Sequence, residues 1–184
     1  VGGGERALRL FVAAYPAREV VASLQEARRA AAPAGVREVA PEQVHLTLQF
    51  IGPVEPRDLG RVEESVGAAC RGVGAFELRP QRLISLPARG PVRVIAAETD
   101  APAQLIELHR RLAQRLARDA RHDPADRFMA HVTLARAQAG ASVARVDAPV
   151  GCGPFRVDRV VLVRSVLRPE GAEHRALGEW RLEA

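Results

Sequence analysis

Hydrophobic and polar positions change rhythm several times along the chain, and each change marks an element. The run from Ala7 to Ala14 is apolar enough for a buried strand, and Pro16 then opens a helical pattern with Val20, Val21, Leu24 and Ala27 on one face. The stretch from Val44 to Ile51 alternates strictly and predicts a half-buried strand, stopped by Gly52-Pro53. Pro56 starts a second helical pattern carrying Leu59, Val62, Val66 and Ala69. Two strand-like runs follow, Phe76 to Leu86 and Val92 to Ala97, separated by the turn Ala88-Arg89-Gly90-Pro91.

The pattern then recurs. Asp100 is placed to cap a helix with the stripe Leu105, Leu108, Leu112 and Leu116, and His131-Val132-Thr133-Leu134 follows it. A run from Val157 to Leu167 and the closing Trp180-Arg181-Leu182 supply late strands, with turn residues Arg168 to Gly171 between them. His45-Leu46-Thr47-Leu48 and His131-Val132-Thr133-Leu134 are near-identical tetrapeptides, each just beyond a helix. This predicts an α+β fold made by duplication: one domain over 1–184, with two pseudo-symmetric lobes that each contribute one HxTx motif, at 45–48 and 131–134. Two antiparallel sheets would face a central cleft, with helices outside.

Composition narrows the chemistry. The net charge is +5, and all 27 basic residues are arginine. A basic surface suits a polyanionic partner, although total replacement of lysine also reads as base-composition bias. Without lysine there is no Walker-type phosphate loop, pyridoxal Schiff base or lysyl-nucleotide ligase intermediate. No stretch reaches the roughly 18 uncharged apolar residues of a membrane span, and no secretion signal is visible at Val1-Gly2-Gly3-Gly4. Cys70 and Cys152, read as small buried hydrophobes, are too few for a disulfide framework, which points to a cytoplasmic setting.

In a strand, His45 and Thr47 point one way while Leu46, Leu48 and Phe50 point the other, and His131 and Thr133 are arranged alike. Each strand thus offers one imidazole and one hydroxyl. Two imidazoles facing each other suit phosphodiester hydrolysis, one taking a proton from water and the other protonating the leaving oxygen. The hydroxyls of Thr47 and Thr133 would hold the non-bridging oxygens. No metal is required, and spacing alone does not say which histidine is the acid.

On these motifs the chain resembles the two-histidine phosphoesterase superfamily, within it the RNA 2',3'-cyclic phosphodiesterases also called 2'-5' RNA ligases. The likeness runs through Arg9-Leu10-Phe11-Val12, Pro41-Glu42 to Leu48, Gly52, His131 to Arg136, Phe155-Arg156-Val157 and the closing strands. It implies a bilobal fold and hydrolysis of the cyclic phosphate to a 2'-phosphate. His45 would be the proton donor to O3' and His131 the base. The resemblance also implies RNA ends, such as tRNA halves, as partners, and a monomer that uses neither ATP nor another cofactor. By microscopic reversibility, a 5'-hydroxyl attacking in place of water would give a 2'-5' linkage. It further implies that Arg136 contacts the RNA or its phosphate. Strand parity objects, because a regular strand turns Arg136 away from His131 unless a bulge or strand end intervenes. A surface salt bridge is the other reading. Three positions depart from the family pattern: Glu38 for an aromatic, Ala130 for a proline and His174 for a tyrosine.

Other features read as bland. Phe11, Phe50 and Phe128 are expected in the core. His109 and His122 lack metal-ligand spacing and are expected to be solvated. Arg110, Arg111, Arg115, Arg118 and Arg121 form a basic face that holds either an RNA backbone or only water. Two other functions stay open: a phosphodiesterase for small cyclic nucleotides or nucleotide-sugar cyclic phosphates, and a non-catalytic RNA-binding module.

Overall fold

The computed structural model describes residues 7–31, 34–116, 128–168 and 171–183. Its elements run β1 (Leu8–Ala14), α1 (Arg18–Ala31), β2 (Val36–Glu38), β3 (Leu46–Val54), α2 (Leu59–Cys70), β4 (Phe76–Leu78), β5 (Pro80–Leu86), β6 (Val94–Thr99), α3 (Ala103–Leu116), β7 (His131–Ala137), β8 (Asp147–Pro149), β9 (Phe155–Val157), β10 (Arg159–Arg168) and β11 (Gly171–Arg181). The class is α+β with antiparallel sheets, as the mixed rhythm predicts. Pro41–Gln43 and Pro56–Asp58 are single 3₁₀ turns, and the two prolines expected to open helices, Pro16 and Pro56, sit just ahead of α1 and α2.

The sheets are arranged differently from two separate layers. One continuous path runs β11-β10-β1-β3-β7-β6-β5-β8 with β2 beside β7, and β4 and β9 form a separate ribbon. The two halves of the large sheet meet between β3 and β7 at a single pair, Leu46 opposite Val132. Both side chains are 0% exposed. The halves of the sheet are also not the halves of the chain, because β10 returns to pair with β1 and β11 follows it.

One sheet face carries the core. The predicted helix stripes supply Val21 and Leu24 from α1, Val62 and Val66 from α2, and Leu105, Leu108 and Leu112 from α3, packed with Leu46, Leu48, Val132 and Leu134. Alternation along β1 sends Leu10, Val12 and Ala14 into this core and Phe11 and Ala13 to the opposite face, where they meet Val161 and Val163. Two long runs are divided. Asp100 does not cap α3; its carboxylate accepts the Arg79 N–H at 2.7 Å and its own N–H donates to the Arg79 carbonyl at 3.0 Å, which separates β4 from β5. Asp158 likewise separates β9 from β10.

Charge pins α1 to the sheet edge. Arg28 is only 8% exposed and pairs with Glu38 of β2, which also receives Arg29 through Nη2 at 2.9 Å and Nε at 3.1 Å. The Arg28 Nε is buried with no hydrogen-bond partner, so Glu38 carries most of the compensation for that guanidinium. Breaking a fully buried pair costs about 3–5 kcal/mol, and the 30% exposure of Glu38 reduces this. We therefore expect Glu38→Ala to lose about 2 kcal/mol and to lower the melting temperature by about 4–8 °C. A thermal melt unchanged within 1 °C would show that solvent, not Glu38, carries the Arg28 charge.

Candidate active site

The Leu46–Val132 pair brings the two motifs together. In an antiparallel register, the residues flanking that pair set His45 alongside Thr133 and Thr47 alongside His131. Since side chains alternate, all four lie on the face opposite the core. They line one cleft of about 1100 Å³, together with Arg136, Phe11, Phe50 and His174.

Both motif strands carry extra residues: β7 has one, and β3 has two, Leu48 and, between Phe50 and Gly52, Ile51. Val12 pairs with Gln49 and Ala13 with Thr47, which leaves Leu48 without a partner on β1. Ile95 pairs with Ala135 and Ala96 with Thr133, which leaves Leu134 without a partner on β6. Both are β-bulges, and each reverses the alternation beyond it. In β7 the bulge buries Leu134 and Ala135 together and turns Arg136 to the side of His131 and Thr133. The parity objection to Arg136 is thereby removed. The same step in β3 buries Leu48 and Gln49 and corrects the expectation for Phe50, which is 65% exposed in the cleft. Phe50 and Arg136 thus occupy matching places, five residues after each histidine.

The floor of the cleft is buried, as expected for Phe11. Phe11 is buried, but on the cleft side, with its ring 5.0 Å from His45, 5.0 Å from His174 and 6.2 Å from Phe50. The signal was present in β1, where Phe11 alternates out of phase with Leu10 and Val12. Arg9, two residues earlier, also lines the cleft. Ala130, the second departure, is buried, and its carbonyl accepts the Thr99 N–H at 3.0 Å.

The two imidazoles are held alike. His45 Nδ1 is 2.6 Å from the Gln43 carbonyl and His131 Nδ1 is 2.9 Å from the Met129 carbonyl. A carbonyl only accepts, so Nδ1 carries the proton in both rings and Nε2 is left for a substrate. Burial lowers the His45 pKa from 6.5 to about 4; the Gln43 carbonyl works against this, while the charges of His174, Arg136 and His131 add to it. His174 is lowered by burial and then by Arg136, and burial pushes the nearby Tyr15 hydroxyl up to about 12.

Several residues lie elsewhere. His109 is not simply solvated: its Nδ1 donates to the Leu48 carbonyl at 2.7 Å and its ring stacks at 4.0 Å on Phe128, which packs half-buried against the core as expected. Arg110 and Arg111 share the single carboxylate of Glu107, which offsets one of their two charges on their own helix. His122, Arg118 and Arg121 lie outside the described residues. Among the described residues no three His, Cys, Asp or Glu side chains gather as a metal site, and no helix is long and apolar enough to cross a membrane.

Paired His-x-Thr strands, each bulged and joined at one register pair beneath a polar cleft, define a phosphoesterase-like class of site. The chain belongs to the 2'-5' RNA ligase superfamily, whose sequence pattern matches residues 16–168. It is 34% identical to the RNA 2',3'-cyclic phosphodiesterase of Thermus thermophilus over 95% of this chain and 90% of that one. It is 28% identical to the protein of the same name in Methanothermobacter thermautotrophicus, over 90% and 92%. Its structure is similar to that of Escherichia coli LigT complexed with 3'-AMP, with a TM-score of 0.79, 25% identity and coverage of 97% and 99%.

The low His45 pKa has a measurable consequence. The unfolded chain takes up a proton near pH 6.5, while the folded protein holds this ring neutral to about 4. The contribution of His45 is therefore undiminished above pH 6.5 and falls with pH through the window down to about 4, where the loss reaches about 3 kcal/mol. Denaturant titrations at pH 7 and pH 4 should show His45→Asn losing less stability than wild type by that order. An equal loss would place the His45 pKa near its ordinary value.

Proposed function

We propose that the protein hydrolyses RNA 2',3'-cyclic phosphate ends to 2'-phosphomonoesters, a phosphodiester hydrolase that needs no metal ion, ATP or other cofactor. The observation that supports this most directly is the pair of Nδ1-anchored imidazoles lining one cleft beside two threonine hydroxyls. The relatives that carry the activity in their names span nearly the whole chain. In this reading the two half-sheets are the lobes of a duplicated fold, each bringing one motif on a bulged strand. The unpaired Cys70 and Cys152 fit a reducing cytoplasm.

Water attacks phosphorus opposite O3', and His131 Nε2 takes its proton. The P–O3' bond breaks, and His45 Nε2 gives its proton to O3', leaving a 3'-hydroxyl and a 2'-phosphate. Thr47, Thr133 and Arg136 hold the non-bridging oxygens as their charge grows. A 5'-hydroxyl replacing water would attack the same phosphorus, with its proton going to His131 and the P–O3' bond breaking as before, and form a 2'-5' linkage. With its pKa lowered to about 4, His45 is neutral at pH 7, so its donor role depends on the substrate. The anionic phosphate offsets the charges of Arg136 and the neighbouring imidazoles and favours the protonated ring.

Phe50 is the exposed apolar surface of the cleft and offers a platform for the terminal base.

Hydrolysis of an oligoribonucleotide 2',3'-cyclic phosphate in EDTA should proceed with wild type. It should fall by about 10²–10⁴-fold in His45→Ala and His131→Ala, with both variants folded. Arg136→Ala should lower kcat/KM by about 10²–10³-fold. Turnover of mononucleotides alone would shift the substrate to small cyclic phosphates, and binding without turnover would leave an RNA-binding module. The acid assignment is tested separately: inorganic phosphate should raise the His45 pKa in an NMR titration. A value that stays near 4 with phosphate bound would exchange the roles of the two histidines.

A further inference from the structure

His109 stands on α3, on the core side of the sheet, and takes no part in the chemistry above. Leu48 has no partner on β1, β3 and β7 pair only at Leu46, and the residue is 1% exposed. A carbonyl in such a place needs a donor from outside the ladder. The donor is His109 Nδ1, at 2.7 Å. The His109 ring lies on Phe128 with centroids 4.0 Å apart and planes 18° from parallel. Phe128 directly precedes Met129, whose carbonyl orients His131.

The second bulge has the same need and a related answer. The Leu134 carbonyl accepts the Val39 N–H at 2.9 Å, and the Val39 carbonyl in turn accepts the buried Gln25 side chain of α1 at 2.7 Å. Both bulges are therefore held from the helix layer, one through an intervening peptide and one directly.

We infer that His109 is a positioning residue that sets both motif strands from behind the sheet, fixing the β3 bulge with its Nδ1 and the approach to His131 with its ring face. The bulge is what brings Phe50 to the cleft beside Thr47. The stack bears on the peptide that holds His131.

The inference rests on the proposed hydrolysis only for its activity readout, and amide exchange supplies an independent one. His109→Phe keeps a ring for Phe128 and loses the donor; His109→Asn keeps an N–H near the Nδ1 place and loses the ring; Phe128→Leu removes the stack alone. His109→Phe should lower kcat on the cyclic-phosphate oligonucleotide by about 10–100-fold while the protein stays folded. It should speed amide exchange at Phe50 by about tenfold or more. His109→Asn should restore exchange at Phe50 to within about threefold of wild type and speed it at His131 instead. Phe128→Leu should act on His131 and leave Phe50 unchanged. Wild-type kcat and exchange in His109→Phe would overturn the inference, as would an Asn variant no better than Phe at Phe50. If wild type hydrolyses nothing, the proposed reaction fails while the exchange pattern still decides the role of His109. If His109→Phe does not fold, the Asn and Phe128→Leu variants decide it.

Discussion

Everything in the cleft depends on one residue pair. Leu46 and Val132 form the sole register contact between the motif strands, buried on the core side, and the polar residues on either side of each are thereby set face to face. The hydrophobic effect does the holding, since each leucine or valine buried this fully contributes about 1.5–3 kcal/mol. The imidazoles are placed by packing that occurs on the other side of the sheet from them.

The bulges are the second half of that design. A strand of strict alternation offers only every second residue to one face, which is enough for a histidine and a threonine but not for the residue five places on. One unpaired leucine in each strand changes the phase, and a third side chain joins the set. The two strands use this differently. One adds an aromatic ring and the other a guanidinium, so the cleft gains an apolar surface and a fixed positive charge from the same backbone irregularity.

Much of this was legible in the residues. The repeated His-x-Thr-Leu located the two strands, the helix stripes named the core, and strand parity raised the right objection to Arg136. Phe50 was lost because the same parity argument, applied to a run with no visible irregularity, sent it to the wrong face. His109 was lost because its partner is a backbone carbonyl freed by that irregularity, and no side-chain spacing reports it. Phe11 and His174 were separated from the motifs by long stretches of sequence: the β1–β3 pairing brings Phe11 to His45, and the pairing of β10 with both β1 and β11 brings His174 there. The division of the long runs at Arg79 and Asp158 rests on tertiary contacts that local pattern does not carry.

The return of β10 and β11 to the edge of β1 also sets an order of assembly. During synthesis β1 and β3 emerge early, yet the wall that carries His174 is made of strands translated more than a hundred residues later. The first motif must wait with one sheet edge unpaired until then. A nascent chain therefore holds both histidine motifs before it holds a finished cleft, and any capture of an RNA end is deferred until the C-terminal hairpin has docked.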